Sequence, residues 1–549
     1  MNRKFLFVTI VASWICISAL VSCYRTGAAV NYSARNINTG IVYQTIQSAI
    51  DDSQTLVGHT IYVKEGTYFE HVTVHKSLSL VGEQRLTTII NGSGSIVFHV
   101  TANKVAIKNF TVLSGYMGVF LDHVNDSSIT ENVMVGNDQF AVYAYYSKNC
   151  TIESNNVANT TGSGILVTNS QDFAVCDNDV YGSGQYGINA NASVNGLIRR
   201  NFSHSNFFDG IGLGMSSCFC NISENTMADN RFFGLWLDYG SENNTVCQND
   251  FINNGKDVVT VGLNDWDNGF EGNYWSKYSG YDSTYDGIGD APYEITYPSG
   301  VTGPKQFDRY PLMGLFSSFD AYRERRIDVI SNSTITRFMF VKSNTTFSLR
   351  FSHETANQTF EFCRIRVPYT LMAEPYTTFA DGDISRAELA LHDDGASRWL
   401  YFSYNVSLNE LTIEGTKPVD IDPPMILVIS PSSQTFAADS VSLVFALDEE
   451  ASWVGYSLDG RSNVTIPGNT TLSNLYNGTH FVLVYANDTV GNMGYSETVY
   501  FVATVEGGLP ITSLIIGVAG VASIIVVATF YYRRTRKAKK SIEKEVKAS

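Results

Sequence analysis

The sequence predicts an all-β fold built as a parallel β-helix, mainly because a motif of 23 to 24 residues repeats through its centre. One asparagine recurs at this spacing, and a glycine or alanine recurs in phase with it. The first set, the asparagine ladder, is Asn132, Asn155, Asn178, Asn201, Asn225, Asn249 and Asn273. The second set, the glycine ladder, is Gly118, Ala141, Gly164, Gly187, Gly210 and Gly234. A fixed period in the low twenties is typical of stacked solenoid coils.

A short strand is predicted after each member of the glycine ladder. An apolar, variable, apolar triplet follows it, as in Val119–Leu121 and Leu235–Leu237. Because side chains alternate along a strand, the outer two residues face the core and the middle one faces outward. These middle residues, the outward column, are Phe120, Tyr143, Leu166, Asn189, Gly212 and Trp236. Further apolar columns lie three residues before and two residues after each ladder asparagine, and both are predicted to face the core.

Both ladders are predicted to form corners between strands and not a row of binding groups. Asparagine tolerates the left-handed backbone of a tight corner, and stacked asparagine side chains hydrogen-bond along a solenoid. Glycine suits a corner for the same conformational reason. Gly210–Gly214 has the glycine spacing of a nucleotide loop, but no helix follows it, so a phosphate site is not expected.

The composition suits an all-β protein outside the cytosol. The 549 residues leave room for several domains, only 16% of them are charged, and the net charge is −16. Without the two positive charges near the N-terminus and the six net positive charges after Tyr532, the remainder carries about −24. This excess argues against a nucleic-acid partner and suits cations or neutral polymers. The eight cysteines lack metal-binding spacings and are interpreted mainly as small packing residues.

The two ends of the chain predict export and membrane attachment. Residues 1–29 read as a signal peptide, with lipidation at Cys23 as the alternative processing. Residues 509–532 are apolar and long enough for a transmembrane helix, and residues 533–549 form a basic tail that is expected on the cytoplasmic side. Everything between then faces outward, and Asn-X-Ser/Thr sequons in that part suit a glycosylated surface protein.

The outward-facing part is predicted to contain three domains. Residues 30–316 form the β-helix, which begins with a short amphipathic helix within Tyr43–Ser53 that caps the first coil. Residues 317–421 have lost the period and read as a β-sandwich-like module. Residues 422–505 show strands at intervals of about ten residues and resemble an immunoglobulin-like module without its paired cysteines.

Two segments carry a family resemblance. The stretch Ile61–Glu83, followed by Thr87–Gly94, resembles the start of right-handed parallel β-helix proteins such as the NosD-type family and pectin methylesterases. Gly272–Ile295 and Phe307–Met313 resemble the closing segment of NosD-like domains. The resemblance implies a right-handed parallel β-helix of the type that binds or hydrolyses sugars. It also implies a link to copper-site maturation.

Two metal hypotheses arise. Asp282, Asp286 and Asp290 surround glycine turns and could hold Ca²⁺ through oxygen ligands, with an Asx-turn cap as the alternative. Copper requires clustered histidine, methionine or cysteine. The histidine candidates are His71, His75, His99 and His123, and the methionine candidates are Met117, Met134, Met215 and Met227. No tract rich in either residue exists, so copper is not expected.

The outward column is the principal ligand-binding hypothesis. Phe120, Tyr143, Asn189 and Trp236 combine aromatic faces with an amide, as a sugar groove requires. Additional aromatics near its far end are Phe207, Phe208, Phe232 and Phe233. Asp209 and Asp238 are the candidates for a catalytic carboxylate pair.

The prediction from sequence is therefore a membrane-anchored extracellular β-helix protein that binds carbohydrate or another surface polymer without catalysis. The alternatives are a polysaccharide hydrolase or lyase that uses the same face, and a NosD-like copper-accessory protein. The motifs of pectin methylesterases are absent, and few Lys or Arg residues are available as a lyase base.

Overall fold

The computed structural model describes residues 34–504 except 299, 302, 324, 343–344, 353–360, 386–388, 405–407, 419 and 433–434. The predicted signal peptide, transmembrane helix and basic tail lie outside these residues. Among the residues that the structure does describe, no helix is long and apolar enough to cross a membrane.

The first part of the chain is a β-solenoid with three sheets, here called A, B and C, and most of their strands pair in parallel with the preceding coil. The eleven strands of sheet A are Ala34–Asn36, Val42–Tyr43, Thr60–Val63, Ser79–Gly82, Ala106–Lys108, Ser128–Thr130, Thr151–Glu153, Ala174–Cys176, Leu197–Arg199, Asn221–Ser223 and Thr245–Cys247. The ten strands of sheet B are Gly66–Tyr68, Thr88–Asn91, Thr111–Leu113, Val133–Val135, Asn156–Ala158, Asp179–Tyr181, Phe202–His204, Thr226–Ala228, Asp250–Ile252 and Tyr274–Trp275. The nine strands of sheet C are Val72–Val74, Ile96–Val100, Met117–Asp122, Phe140–Tyr145, Ser163–Thr168, Ile188–Asn191, Ile211–Gly214, Phe233–Leu237 and Lys256–Thr260. An antiparallel pair, Tyr293–Ile295 and Gln306–Asp308, follows the last coil.

The predicted N-terminal cap is confirmed as the helix Ile46–Asp51, which buries Ile46, Ala49 and Ile50. Thr45 caps its first turn, and the carboxylate of Glu70 accepts hydrogen bonds from the backbone N–H groups of Ile46 and Gln47. The helix covers the first coil with apolar side chains, which hides the end of the core from solvent.

The predicted inward columns form one continuous core, as Ile129, Ile152 and their equivalents show. Phe270 is the exception, because its side chain is 57% exposed and its ring contacts His392 at 5.1 Å. The prediction that Phe270 faces the core is wrong, since Asp265 pairs with Thr245 and the buried Trp266 therefore follows Val246 in this column.

The asparagine ladder is a buried chain of hydrogen bonds inside one corner. Asn155 Oδ1 accepts from the backbone N–H and the side-chain Nδ2 of Asn132, and the next asparagines repeat this pattern down to Asn273. Asp308 Oδ2 then accepts from the backbone N–H of Asn273 at 2.7 Å and ends the ladder. The predicted hydrogen bonding along the solenoid is confirmed.

The left-handed conformation lies one residue earlier than predicted. The residues with positive φ immediately before ladder asparagines are Glu131, Ser154, Asp177, Arg200, Glu224 and Gln248. The prediction that the asparagines themselves take this conformation is wrong. The preceding residue makes the turn, and this turn directs the asparagine side chain into the corner.

The glycine ladder is likewise not a set of left-handed corners. Its members lie in or beside the strands of sheet C, and none of its glycines has a positive φ. A Cβ at Gly118 would lie 2.4 Å from the backbone oxygen of Ala141 in the next coil, and one at Gly187 would lie 2.1 Å from Ser203 Oγ. Glycine is therefore required here by close packing rather than by backbone conformation.

After the solenoid, the chain forms two five-stranded antiparallel sheets. The first comprises Leu315–Tyr322, Arg325–Ser331, Glu361–Pro368, Leu389–Asp393 and Ser397–Tyr404. The second comprises Thr334–Val341, Thr346–Ser352, Ala373–Ala380, Asp383–Ser385 and Glu410–Thr416. Residues of both sheets, such as Ile365 and Phe347, share one core. This arrangement agrees with the β-sandwich-like module predicted from residue 317.

A buried polar cluster joins this module to the last coil of the solenoid. Glu271 accepts hydrogen bonds from Arg364 Nε and Trp399 Nε1, both at 3.0 Å, and from Gln248 Nε2 at 2.8 Å. Glu271 is 4% exposed and Arg364 is 6% exposed. Because every charge here is paired inside a hydrogen-bonded network, the cluster fixes the module against the solenoid.

The chain divides into two compact units after Pro418. The later unit contains a three-stranded sheet of Ile426–Ser430, Ser440–Leu447 and Thr470–Ser473. Its second sheet comprises Thr435–Phe436, Ala451–Leu458, Val464–Thr465, Gly478–Asp488, Met493–Tyr495 and Val499–Ala503. Leu443, Val484 and Phe501 belong to the core of this unit.

Candidate functional site

The outward column lies in register on the outer face of sheet C. Phe120 pairs with Tyr143, and the following partners continue the row to Trp236. Phe120, Tyr143 and Trp236 are partly exposed, whereas Asn189 is 5% exposed. Since neighbouring strands are about 4.8 Å apart, the row from Phe120 to Trp236 is about 24 Å long.

The N-terminal part of this face is an aromatic stack. The rings of His99 and Phe120 lie 5.2 Å apart and 5° from parallel, and those of Phe120 and Tyr143 lie 5.2 Å apart and 9° from parallel. Asp122 contacts both His99 Nε2 at 2.9 Å and His123 Nδ1 at 2.6 Å. Burial raises the pKa of Asp122, but the hydrogen bonds with His123 and His99 outweigh burial and leave this pKa below its ordinary value.

The C-terminal part is a cluster around Tyr186, here called the Tyr186 cluster and comprising Tyr186, Asn189, Asp209, Trp236 and Asp238. The rings of Tyr186 and Trp236 lie 5.8 Å apart. A Cβ added at Gly212 would lie 2.9 Å from the Tyr186 ring and 3.2 Å from Asn189 Oδ1. Tyr186 and the Asn189 amide therefore both occupy the space that Gly212 leaves free.

Asn189 holds an unused hydrogen-bond acceptor in this cluster. Its Oδ1 is buried and accepts no hydrogen bond from the part of the chain that the structure describes. Leaving a buried acceptor unpaired costs about 1 to 3 kcal/mol.

The two predicted catalytic carboxylates, Asp209 and Asp238, are both close to Tyr186. Asp209 is 3% exposed, and its Oδ1 accepts from the backbone N–H of Phe233 at 2.9 Å. Burial raises the pKa of Asp209 to about 6. Burial, followed by the charges of Asp209 and Asp238, raises the pKa of Tyr186 to about 12.

Exposed apolar side chains flank the Tyr186 cluster at the neighbouring corners. On one side, Phe208 stacks on Phe232 with 5.1 Å between the rings, and Arg231 lies 4.3 Å above the ring of Phe207. Met215 and Tyr239 are 66% and 80% exposed at the corner that follows the cluster strands. The cluster is thus a partly polar strip between two apolar rims.

The structure divides the predicted ligand residues between two places. Asn189 and Trp236 belong to the Tyr186 cluster together with both predicted catalytic residues, whereas Phe120 and Tyr143 lie in the aromatic stack.

Sequence reasoning missed Tyr186. In the strand Met117–Asp122 the residue before the ladder glycine lies outside the core, because Gly118 and Val119 after it are both buried, and Tyr186 before Gly187 has the same phase. Strict alternation misassigns residues at this phase.

The predicted calcium residues use their carboxylates within their own loop. Asp282 Oδ2 accepts from the backbone N–H of Gly287 at 2.8 Å, and Asp286 Oδ1 accepts from that of Ile288 at 2.9 Å. Asp290 Oδ2 accepts from the backbone N–H of Ser283 at 2.8 Å. These contacts are those of an Asx-turn cap. Calcium binding stays a prediction.

In the described parts of the chain, one group of three acidic side chains has oxygens close enough together to hold a metal ion, and it lies outside the solenoid. It comprises Asp420, Glu449 and Asp488 of the second unit, whose oxygens lie within 4.8 Å of one another. Asp488 Oδ1 already accepts hydrogen bonds from the backbone N–H groups of Val490 and Asn492.

The site and fold together define a β-helix with an aromatic outer face that is rich in acceptor groups. In comparison with known proteins, residues 53–280 match the model of the family described as "Periplasmic copper-binding protein (NosD)". The solenoid is therefore NosD-like.

Individual relatives match shorter or longer parts of the chain. A cell surface glycoprotein of Methanothermus fervidus is 29% identical over 305 residues, which cover 47% of this chain and 50% of the relative. A probable ABC transporter binding protein NosD of Pseudomonas aeruginosa is 41% identical over 81 residues, or 14% of this chain and 19% of the relative. The chain thus spans about half the length of the first of these curated relatives and about a fifth of the second.

Among solved structures, the mannuronan C-5 epimerase AlgE6 A-module of Azotobacter vinelandii is 18% identical with a TM-score of 0.31. The likeness covers 39% of this chain and 74% of that module. A likeness at this score does not bear on function.

The residues present do not fit the copper that the family description implies. His99 and His123 approach the same carboxylate, but they form no convergent group of three ligands within the described chain. Met134 and Met227 are buried in the core, and Met215 is exposed at a corner. No step of the function is therefore assigned to copper.

Proposed function

We propose that this protein binds carbohydrate through the outer face of sheet C. The observation that carries the proposal is the Tyr186 cluster. In it, two aromatic rings lie beside a buried unpaired amide oxygen and two carboxylates. Aromatic rings stack on the C–H faces of sugars, while amides and carboxylates accept hydrogen bonds from their hydroxyls.

The proposed setting is the cell surface. The name of the Methanothermus relative supports this location, and the composition of the chain agrees with it. In this proposal, the signal peptide exports the chain, the segment 509–532 anchors it, and the two β-modules hold the solenoid away from the membrane. The module from residue 422 is immunoglobulin-like in this proposal.

A glycan-binding assay on the full chain tests the proposed function. We expect wild type to bind at least one oligosaccharide and Trp236→Ala to bind it about two- to tenfold less well, because stacking on an aromatic ring contributes about 0.5 to 1.5 kcal/mol. Phe69→Ala is the matched control, since Phe69 is 69% exposed near the start of the solenoid. Absence of binding by wild type, or equal loss in both variants, contradicts the proposal.

Cleavage of a polysaccharide is a second candidate, favoured by the raised pKa of Asp209 near the carboxylate of Asp238. A glycosidase needs one carboxyl group protonated as an acid and another ionised. Incubation with a bound polysaccharide should then release new reducing ends, and Asp209→Asn should abolish the release. If wild type releases none from a glycan that it binds, the binding function stands alone.

A further inference from the structure

The charges and hydrogen-bonding groups of the Tyr186 cluster indicate which sugars it selects. The charges that act on the Tyr186 phenol are those of Asp209 and Asp238, and both are negative. The nearby Arg231 lies over the rings of Phe207 and Phe232 at the adjacent corner. A ligand that carries carboxylate or sulfate groups would bring like charges together, and partial burial strengthens the resulting repulsion.

The polar atoms of the cluster are mainly acceptors. Asn189 Oδ1 is buried without a donor, and the carboxylates of Asp209 and Asp238 accept hydrogen bonds when they are ionised. Each carboxylate also retains acceptor capacity after its one backbone bond, from Phe233 or Tyr239. The partner that satisfies these atoms is a group rich in O–H donors.

We propose that the Tyr186 cluster selects uncharged, hydroxyl-rich sugar residues and rejects uronates and sulfated sugars. The inference rests on the proposed carbohydrate function and narrows it to a ligand class. Asn189 Oδ1 receives a hydroxyl hydrogen bond, Trp236 stacks on the sugar face, and the two carboxylates exclude anionic residues while they bind further hydroxyls.

Titration calorimetry on the full chain tests this selection. The neutral probes are cellohexaose and mannohexaose, and the anionic probe is the hexamer of galacturonic acid. We expect at least one neutral probe to bind about tenfold or more tightly than the anionic hexamer at low salt, because of like-charge repulsion. Added sodium chloride should reduce this difference, because ions screen the repulsion. The salt test needs only wild type.

Two variants separate the roles of the groups. The double variant Asp209→Asn, Asp238→Asn should improve binding of the anionic hexamer about tenfold or more. Asn189→Leu should weaken binding of the neutral probe about tenfold, and this position accepts leucine sterically because Leu166 holds the equivalent place one coil earlier. Circular dichroism of each variant checks that the solenoid is intact.

The possible outcomes distinguish failure of the proposed sugar selection from failure of the proposed carbohydrate binding. If the galacturonic acid hexamer binds as well as or better than the neutral probes, the selection is refuted while carbohydrate binding stands. If none of the probes binds, the selection is refuted for these ligands, and the glycan-binding assay on wild type decides whether carbohydrate binding survives. If a neutral probe is preferred but the double variant keeps the full preference, the acidic groups are not its cause, and the inference is likewise refuted.

Discussion

Replacement of Asn201 by alanine probes the interaction that holds the solenoid coils in register. Its Nδ2 donates to the backbone oxygen of Val175 at 2.7 Å and to Asn225 Oδ1 at 2.9 Å. Its Oδ1 accepts from both the backbone N–H and the Nδ2 of Asn178, each at 3.0 Å. The side chains of Asn178, Asn201 and Asn225 are all buried, so the hydrogen-bonding atoms that lose their partner lie away from bulk solvent.

The expected cost follows from these contacts. Asn201→Ala leaves the backbone N–H of Asn178 without its acceptor, whereas Asn178 Nδ2 keeps its bond to the backbone oxygen of Ile152. An orphaned buried donor costs about 1 to 3 kcal/mol. The three further hydrogen bonds that are lost contribute about 0.5 to 1.5 kcal/mol each, so we expect a total loss of about 3 to 7 kcal/mol.

Urea unfolding of the full chain, followed by far-ultraviolet circular dichroism, measures this loss. Hydrogen–deuterium exchange provides the local readout, because the amide of Asn178 should exchange faster in the variant. Asn221→Ala is the control, since Asn221 is exposed on a strand of the next coil and should change stability by less than about 0.5 kcal/mol. Equal unfolding midpoints for Asn201→Ala and this control would refute the structural role of the ladder.

Three further predictions concern the buried contact between Glu271 and Arg364, the carboxyl group of Asp209, and the space above Gly212. Arg364→Ala should lower the free energy of unfolding by about 3 to 5 kcal/mol, because it leaves the buried carboxylate of Glu271 without its cation. Arg350→Ala, which removes an exposed ion pair with Glu410, should lower it by less than about 1 kcal/mol. Equal losses for the two variants in urea unfolding would contradict this prediction. Because burial raises the pKa of Asp209 to about 6, ionisation of this carboxyl group destabilises the folded state. The free energy of unfolding of wild type should therefore fall by about 2 to 3 kcal/mol relative to that of Asp209→Asn as the pH rises from about 4 to 7. Parallel plots of unfolding free energy against pH for the two proteins would contradict the raised pKa. Gly212→Ala should displace the phenol above it and weaken glycan binding about tenfold, whereas Gly468→Ala, which has open space around its Cβ position, should leave binding unchanged.

The repeat made the fold predictable, because a period repeated in seven ladder positions fixes which residues stack. The inward columns and the outward column followed from this phase, whereas the N-terminal helix followed from its own amphipathic spacing. The error over the ladder conformations has a local cause. Sequence spacing identifies the corner, but the residue that turns the chain, such as Arg200, and the one that points inward, such as Asn201, are adjacent. Spacing alone cannot tell neighbours apart.

The candidate site was predictable only in part. Residue type and repeat phase identified Asn189, Asp209, Trp236 and Asp238. These residues come together, however, because Gly212 has no side chain and because Tyr186 lies over it. The phase of Tyr186 is hidden by the two successive inward residues of each strand. The junction at Glu271 could not be predicted, because its partner Arg364 is 93 residues away and belongs to a module without any repeat.

The position of the Tyr186 cluster follows from irregularities in an otherwise regular solenoid. Tyr186 and Trp236 belong to coils on either side of the strand that contains Gly212, and strands two apart are separated by about 9.6 Å. Their rings nevertheless lie 5.8 Å apart, because Gly212 has no side chain between them. The repeat also lengthens here from 23 to 24 residues, since Ser193 follows Ser170 by 23 positions and Ser217 follows Ser193 by 24. The extra residue lies at the corner formed by Met215 and Ser216, both of which have positive φ. A regular stack would repeat one side chain along the face, whereas a missing side chain next to a longer corner creates a place where different groups converge.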